Sequence, residues 1–255
     1  MALLLAFGSI AHAGETVTFT NWILPESTTN LDSVSGSVKI SAAATPVRVA
    51  CSYVYPNGER GEVECTEHDS QKGVYNFTIP SKENGGVGDI LLYVRFRPSL
   101  DTKTYVSSHS KSVPMAYEED LEITANPPEV LHFDLVSPAY QVRYNPCCNI
   151  LGASVIAKRL PALPTPSDAG LPETLLSDFI HLEPDDLSAS TAGLYFTYTF
   201  DPEKVTSAGQ KIPGLFEYDM RKDEWFKSPN SIVMEGNKID FHCPAGGYFV
   251  LGTDK

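Results

Sequence analysis

The sequence predicts an all-β protein organised as two consecutive β-sandwich domains, and three observations predict it. Apolar residues recur with a period of two, the spacing that places alternate side chains on one face of a strand. Turn chemistry interrupts these runs about every ten residues, as expected where short strands pack into sandwiches. The 19 prolines and 18 glycines are scattered through the 255 residues, and only 20% of residues are charged. That composition disfavours long helices with salt-bridged outer faces.

Taken in order, Leu3 to Phe7 form an apolar stretch, and Ala11-His12-Ala13 has the small-x-small form of an export cleavage site. Residues 1–13 therefore read as a signal peptide in truncated form, because its positively charged first segment is missing. Cleavage would leave Gly14 at the new N-terminus and place the protein outside the cell or in the cell envelope. No later run reaches the roughly 18–20 apolar residues needed to span a bilayer, so no membrane insertion of the mature chain is expected.

The first domain is assigned to residues 14–120. Val47, Val49, Cys51, Tyr53 and Tyr55 alternate with Arg48, Ala50, Ser52 and Val54, predicting a strand that ends at Pro56-Asn57-Gly58. Tyr75, Phe77 and Ile79 repeat the pattern. So do Leu92, Val94 and Phe96 against Tyr93, Arg95 and Arg97. Glu118-Glu119-Asp120 opens an acidic stretch that Asn126-Pro127-Pro128 closes, and the domain boundary is expected there, because proline resists both helix and sheet interior. Leu121 to Thr124 is alternatively a short last strand of the first domain.

The second domain is assigned to residues 128–255. It begins with Val130 to Val136 and Tyr140 to Tyr144, and a proline-rich loop follows from Leu160 to Pro172. Leu194, Phe196, Tyr198 and Phe200 then alternate with Tyr195, Thr197 and Thr199. Four strands close the chain, around Phe216, Trp225, Ile239 and Phe249. One or two helical turns are expected near Glu173 to Phe179 and again near Pro202 to Thr206.

Five cysteines in an exported chain leave one unpaired. Cys51 and Cys65 are symmetric about Gly58, so an odd-length hairpin loop centred there would oppose them and allow a disulfide. Cys147 and Cys148 are adjacent, and on a strand they point to opposite faces. One of them is expected to pair with Cys243, and the other to stay free or to bond another chain. With Cys148 in the bridge, Cys147 is the free thiol and a covalent attachment point for a partner.

The stretch from Ser35 to Met115 resembles the immunoglobulin-like modules of prokaryotic exported proteins. The matching residues are Val47-Arg48-Val49, Asn57-Gly58, the Gly73 to Pro80 segment (Gly-x-Tyr-x-x-x-Ile-Pro) and Tyr93-Val94. Arg97 to Asp101 departs from the Asp-x-x-Gly-Asn turn common in that family. Leu187 to Gly252 is similar to C-terminal β modules of prokaryotic surface proteins, through Leu194 to Tyr198, Tyr218-Asp219 with Glu224-Trp225, and Gly247 to Gly252. The resemblance implies two consecutive immunoglobulin-like β-sandwich domains. Aromatic and turn positions carry it, so it speaks to fold and hardly to activity.

The chemistry-bearing patterns are few. There is no His-Glu-x-x-His, no Gly-x-Ser-x-Gly and no phosphate-cradling glycine loop, so no catalytic residue is assigned. His181, Glu183 and Asp185 alternate and would share one face of a strand, a set able to ligate a cation. A solvated acidic turn is the alternative. Tyr195, Tyr218, Trp225 and Tyr248 are candidate binding residues, because amphipathic rings stack on apolar ligand faces while keeping polar tips wet. Core packing is the alternative for each.

The net charge of −13 opposes nucleic-acid binding. It is compatible with calcium on surface carboxylates, and no other cofactor is expected. The reading favours a non-catalytic secreted or cell-envelope interaction or structural module, adhesin-like or an assembly component, whose partner is a protein or glycan at the cell surface. The alternatives are a carbohydrate-binding accessory protein and an unrecognised hydrolase or metalloenzyme.

Overall fold

The computed structural model describes residues 10–12, 15–98, 105–123, 131–135, 139–144, 153–183, 194–207, 213–229, 232–242 and 246–254. These residues are almost entirely β-structure, with a single helix of six residues. Among them no helix is long and apolar enough to cross a membrane. The chain divides into two compact units, Met1–Ala116 and Tyr117–Lys255. The division falls inside one continuous strand, Lys111–Ile123. The Asn126-Pro127-Pro128 segment lies outside the described residues.

The first unit contains β1 (Ile10–His12), β2 (Glu15–Ile23), β3 (Thr28–Thr29), β4 (Val34–Ser41), β5 (Arg48–Val54), β6 (Arg60–Glu64), β7 (Thr66–Glu67), β8 (Val74–Ile79), β9 (Gly88–Arg97), β10 (Val106–Ser107) and the first half of β11 (Lys111–Ile123). One sheet has the order β1-β2-β4-β8-β7, and a second runs β6-β5-β9-β11 with β10 on β9 and β3 on β11. All pairings are antiparallel except β3 with β11. The expected alternation is present. Val38, Tyr75, Phe77 and Ile79 from one sheet share a core with Val49, Cys51, Leu92, Val94 and Phe96 from the other. Val47 departs from the inward set: it lies just before β5 at the sheet's end, where its N–H bonds the Arg97 carbonyl at 2.9 Å, and it is 45% exposed. Ile10–His12, within the stretch read as an export signal, pairs with β2 as an edge strand.

Cys51 and Cys65 do not form the expected bridge: both are free, buried thiols. The hairpin loop is three residues long, as Tyr55 N–H donates to Glu59 O at 2.8 Å, but its centre is Asn57 rather than Gly58. Gly58, at φ 89°, is the last loop residue, following the turn that Gly58 N–H closes on Tyr55 O. Cys51 therefore faces Val63, and Cys65 N–H bonds Val49 O, which leaves the two cysteines diagonal instead of opposed. Desolvation, followed by mutual and Glu62 charge repulsion, pushes the Cys51 thiol up to about 12. Burial does the same to Cys65. Cys147, Cys148 and Cys243 lie outside the described residues.

The second unit contains the rest of β11, then β12 (Leu131–Asp134), β13 (Tyr140–Tyr144), β14 (Ala153–Leu160), β15 (Thr174–Leu175), β16 (Phe179–Glu183), β17 (Leu194–Thr199), α1 (Pro202–Ser207), β18 (Pro213–Asp219), β19 (Glu224–Lys227), β20 (Ile232–Glu235), β21 (Lys238–His242) and β22 (Gly247–Thr253). Its sheets run β12-β13-β17-β21-β20 and β11-β14-β16-β22-β18-β19, the latter with β15 on β22. Phe196, Tyr198, Ile239 and Phe241 are buried on the first sheet, and Val155, Ile180, Leu182 and Leu251 on the second.

Of the two expected helices only α1 forms. Asp201 caps it, accepting Glu203 N–H at 2.9 Å, and Pro202 occupies the first helical position. The segment from Glu173 is extended instead, because Glu173 and Leu176 N–H groups bond to Thr253 and Leu251 carbonyls of β22 and Leu176 is fully buried.

A buried cation holds the second unit's interior. Arg159, 8% exposed, gives Nη2 to Asp178 at 2.7 Å and Nη1 to the Leu135 carbonyl at 2.7 Å. Its guanidinium lies 3.9 Å over the Tyr140 ring. Asp178 N–H donates to the Tyr140 hydroxyl, and Tyr198 donates to the Leu176 carbonyl. Each polar group of this Arg159 cluster has a partner, which is the condition for burying it at low cost.

Candidate functional site

The strands β11, β14, β16, β22, β18 and β19 align one side chain each across the second unit's larger sheet. Glu118 pairs with Lys158, Lys158 with His181, and His181 with Tyr248. Tyr218 meets Tyr248 ring to edge at 6.4 Å and pairs with Trp225 on the sheet's last strand. Because a strand turns every second residue to the same face, direct register is enough to gather these six residues in a lateral row.

The polar half is a chain of shared charges. Lys158 Nζ lies 2.9 Å from Glu183 Oε1 and 3.5 Å from Glu118 Oε2. His181 Nδ1 lies 3.1 Å from the same Glu183 oxygen. Burial works to lower the Lys158 pKa, but the hydrogen bond to Glu183 and the Glu118 and Glu183 charges outweigh it, so the net shift is upward. The ammonium stays charged and is divided between two carboxylates.

The aromatic half begins where the Tyr248 ring stacks on His181, at 4.0 Å and 17°. Tyr218 contacts Trp225 at 5.4 Å, and Phe179 contacts Trp225 at 5.6 Å. The proline-rich loop covers this end. Trp225 is 2% exposed, its Nε1–H donates to Thr165 Oγ1 at 3.2 Å, and its N–H donates to the Ala169 carbonyl at 2.7 Å. Tyr218 donates its hydroxyl to Asp223, and that hydrogen bond to a carboxylate holds the phenol up at about 12. Asp219 accepts the Arg221 and Lys222 N–H groups at 2.9 and 3.3 Å, forming the β18–β19 turn and lowering its own carboxyl pKa.

Against the sequence expectations, the structure brings Tyr218, Trp225 and Tyr248 together. It does not bring Tyr195, which lies half-buried on β17 of the other sheet. Trp225 is a core residue beneath a loop, so its ring is closed to a ligand, whereas Tyr218 and Tyr248 are half-exposed. His181 and Glu183 do share a face, but Lys158 already supplies the positive charge at Glu183. Asp185 lies outside the described residues, and among those residues no group of three metal-ligating side chains is assembled. Sequence reading missed Glu118, Lys158 and Thr165. No local pattern marks them, since only register and loop packing bring them to the row. No protein-family model matches the chain, and a search of curated proteins finds no match.

Proposed function

We propose that this chain is a non-catalytic, exported interaction or structural module of the cell envelope, composed of two immunoglobulin-like β-sandwiches. Cleavage after Ala13 would remove β1 and leave β2 as the edge strand. The observation that carries the reading is the row Glu118–Lys158–His181–Tyr248–Tyr218, half-exposed on either side of the buried His181. It offers neutralised charge beside aromatic rings on a rigid sheet, the mixture that suits recognition of a polar, partly apolar partner surface. A cell-surface protein is the partner it fits best. A glycan is the second reading, favoured by the half-exposed Tyr218 and Tyr248 rings.

The test is cosedimentation of the full chain with envelope fragments from the native host, separated into protein and polysaccharide fractions. Retention by the protein fraction, weakened about tenfold in a Lys158→Ser/Tyr248→Ser variant that keeps its circular dichroism, supports the first reading; tenfold corresponds to roughly 1.4 kcal/mol of lost contact. Retention by polysaccharide, weakened likewise, supports the second. Unchanged retention of the variant removes the row from the interface, and no retention by either fraction overturns the module reading.

A further inference from the structure

We propose that the outer face of the β2–β4–β8 sheet in the first unit carries a binding cleft for an acidic saccharide. This site is separate from the row on the second unit and stands or falls independently of it.

The cleft follows from strand geometry. On β4 the residues facing away from the core are Ser35, Ser37 and Lys39, and on β8 they are Val74, Asn76 and Thr78. Register places Ser37 beside Asn76 and Lys39 beside Val74. One wall rises from β2, where pairing to β4 shifts between Thr20 and Ile23. Asn21 there takes φ 47°, a left-handed conformation that asparagine tolerates better than most residues. The bulge leaves Ile23 69% exposed, opposite Ser37. The facing wall is the turn from His68 to Val74, closed by Gln71 N–H to His68 O at 3.2 Å and His68 N–H to Val74 O at 2.7 Å. Between the walls is a cleft of about 620 Å³, within the range of small-ligand sites.

Its chemistry is unlike that of the chain as a whole. The protein carries 32 acidic against 19 Lys and Arg residues, yet Lys39, Lys72 and His68 line the cleft and, among the described residues, no carboxylate does. Neither lysine makes an ion pair among the described residues. Glu67, which borders the adjoining depression with both lysines, has Oε1 committed to Gly73 N–H at 2.7 Å. His68 Nδ1 accepts Ser70 N–H at 3.2 Å, so the neutral ring carries its proton on Nε2 as a donor.

Two ammonium groups call for an anionic ligand. Ser37, Asn76 and Gln71 add hydroxyl and amide groups suited to a polyol, and Ile23 with Val74 supplies an apolar strip for the C–H face of a sugar ring. A carboxylate on a hydroxyl-rich ring satisfies all three sets together. Inorganic phosphate satisfies only the first.

The experiment titrates the full chain, observed by backbone amide NMR, with tetragalacturonate, its methyl-esterified neutral counterpart, and inorganic phosphate. The expected result is binding of tetragalacturonate at least about tenfold tighter than the neutral ester, one good contact's worth of selectivity. Shifts should centre on β4, β8 and the His68–Val74 turn, and should weaken as salt screens the two lysines. Lys39→Gln and Lys72→Gln should each weaken it by about tenfold. Ile23→Ser should weaken the saccharide and leave phosphate unaffected. Equal affinity for acid and ester, shifts elsewhere, indifference to the lysine variants, binding of phosphate alone, or no binding would each overturn the proposal.

Discussion

Replacing Gly170 by alanine tests whether the proline-rich loop is tied to Trp225 as closely as the structure has it. Gly170 sits at φ +76°, and an added Cβ would lie 1.9 Å from the Trp225 carbonyl oxygen and 2.9 Å from its carbon. The left-handed conformation alone costs a non-glycine residue about 1–2 kcal/mol. The contact with backbone cannot be relieved by a side-chain rotation, so the loop must withdraw from β19. Withdrawal breaks the Ala169–Trp225 hydrogen bond, worth about 1 kcal/mol, and uncovers part of a tryptophan now 2% exposed. Partial loss of that burial adds about 1–2 kcal/mol, for a total of about 4 kcal/mol. Gly236, at φ +60° in the β20–β21 turn, has nothing within 4 Å of an added Cβ. Gly236→Ala should therefore show only the conformational cost, about 1 kcal/mol. Both variants are best made in a Trp22→Phe background, so that fluorescence during urea unfolding reports Trp225 alone. Gly170→Ala should also red-shift the native emission. Equal loss of stability in the two variants would refute the close approach.

Two further predictions rest on buried groups. Arg159→Ala strands Asp178, the Leu135 carbonyl and the Tyr140 ring together, and should cost the second unit about 3 kcal/mol, the low end for breaking a buried pair because the Asp178 side chain is 33% exposed and can rehydrate. Urea unfolding followed by Trp225 fluorescence measures it, and a loss under 1 kcal/mol would show that the cluster is not holding the interior. The thiols of Cys51 and Cys65 are raised from 9.0 to about 12, so folding favours their protonated form. Their contribution is complete below about pH 9 and is lost as pH rises toward 12, because the unfolded chain ionises first. Between pH 8 and 10 the two together should cost about 3 kcal/mol, at roughly 1.4 kcal/mol per thiol per unit. A Cys51→Ala/Cys65→Ala variant should lack that slope; identical slopes in variant and wild type would mean the thiols are bridged or exposed.

The strands themselves were readable because burial on one face of a sheet writes a period of two into the chain. Tyr75, Phe77 and Ile79, or Leu92, Val94 and Phe96, need no partner to be recognised as an inward set. Capping and turn chemistry are equally local, which is why a short helix from Pro202 and a turn at Pro56-Asn57-Gly58 could be read from the residues, although the loop's centre could not. Register is not local. Symmetry about Gly58 placed Cys65 opposite Cys51, but the left-handed residue closes the loop instead of centring it, and a one-residue displacement of the centre shifts every partner by two. Trp225 looked the same as Tyr218 and Tyr248 in the sequence. It became core only when a loop some 60 residues earlier folded over it, placing Thr165 at its indole nitrogen.

What the amino-acid sequence alone determined is the set of elements and their inward faces, since those follow from the side chains within each strand. The tertiary structure decided which strands are neighbours and in what register. Those choices set Lys158 between Glu118 and Glu183, stacked Tyr248 on His181, and left Lys39 and Lys72 without a carboxylate in their cleft. The ion pairs and the stacked rings are contacts between residues far apart in the chain, and their energy exists only once the backbone between them has been ordered.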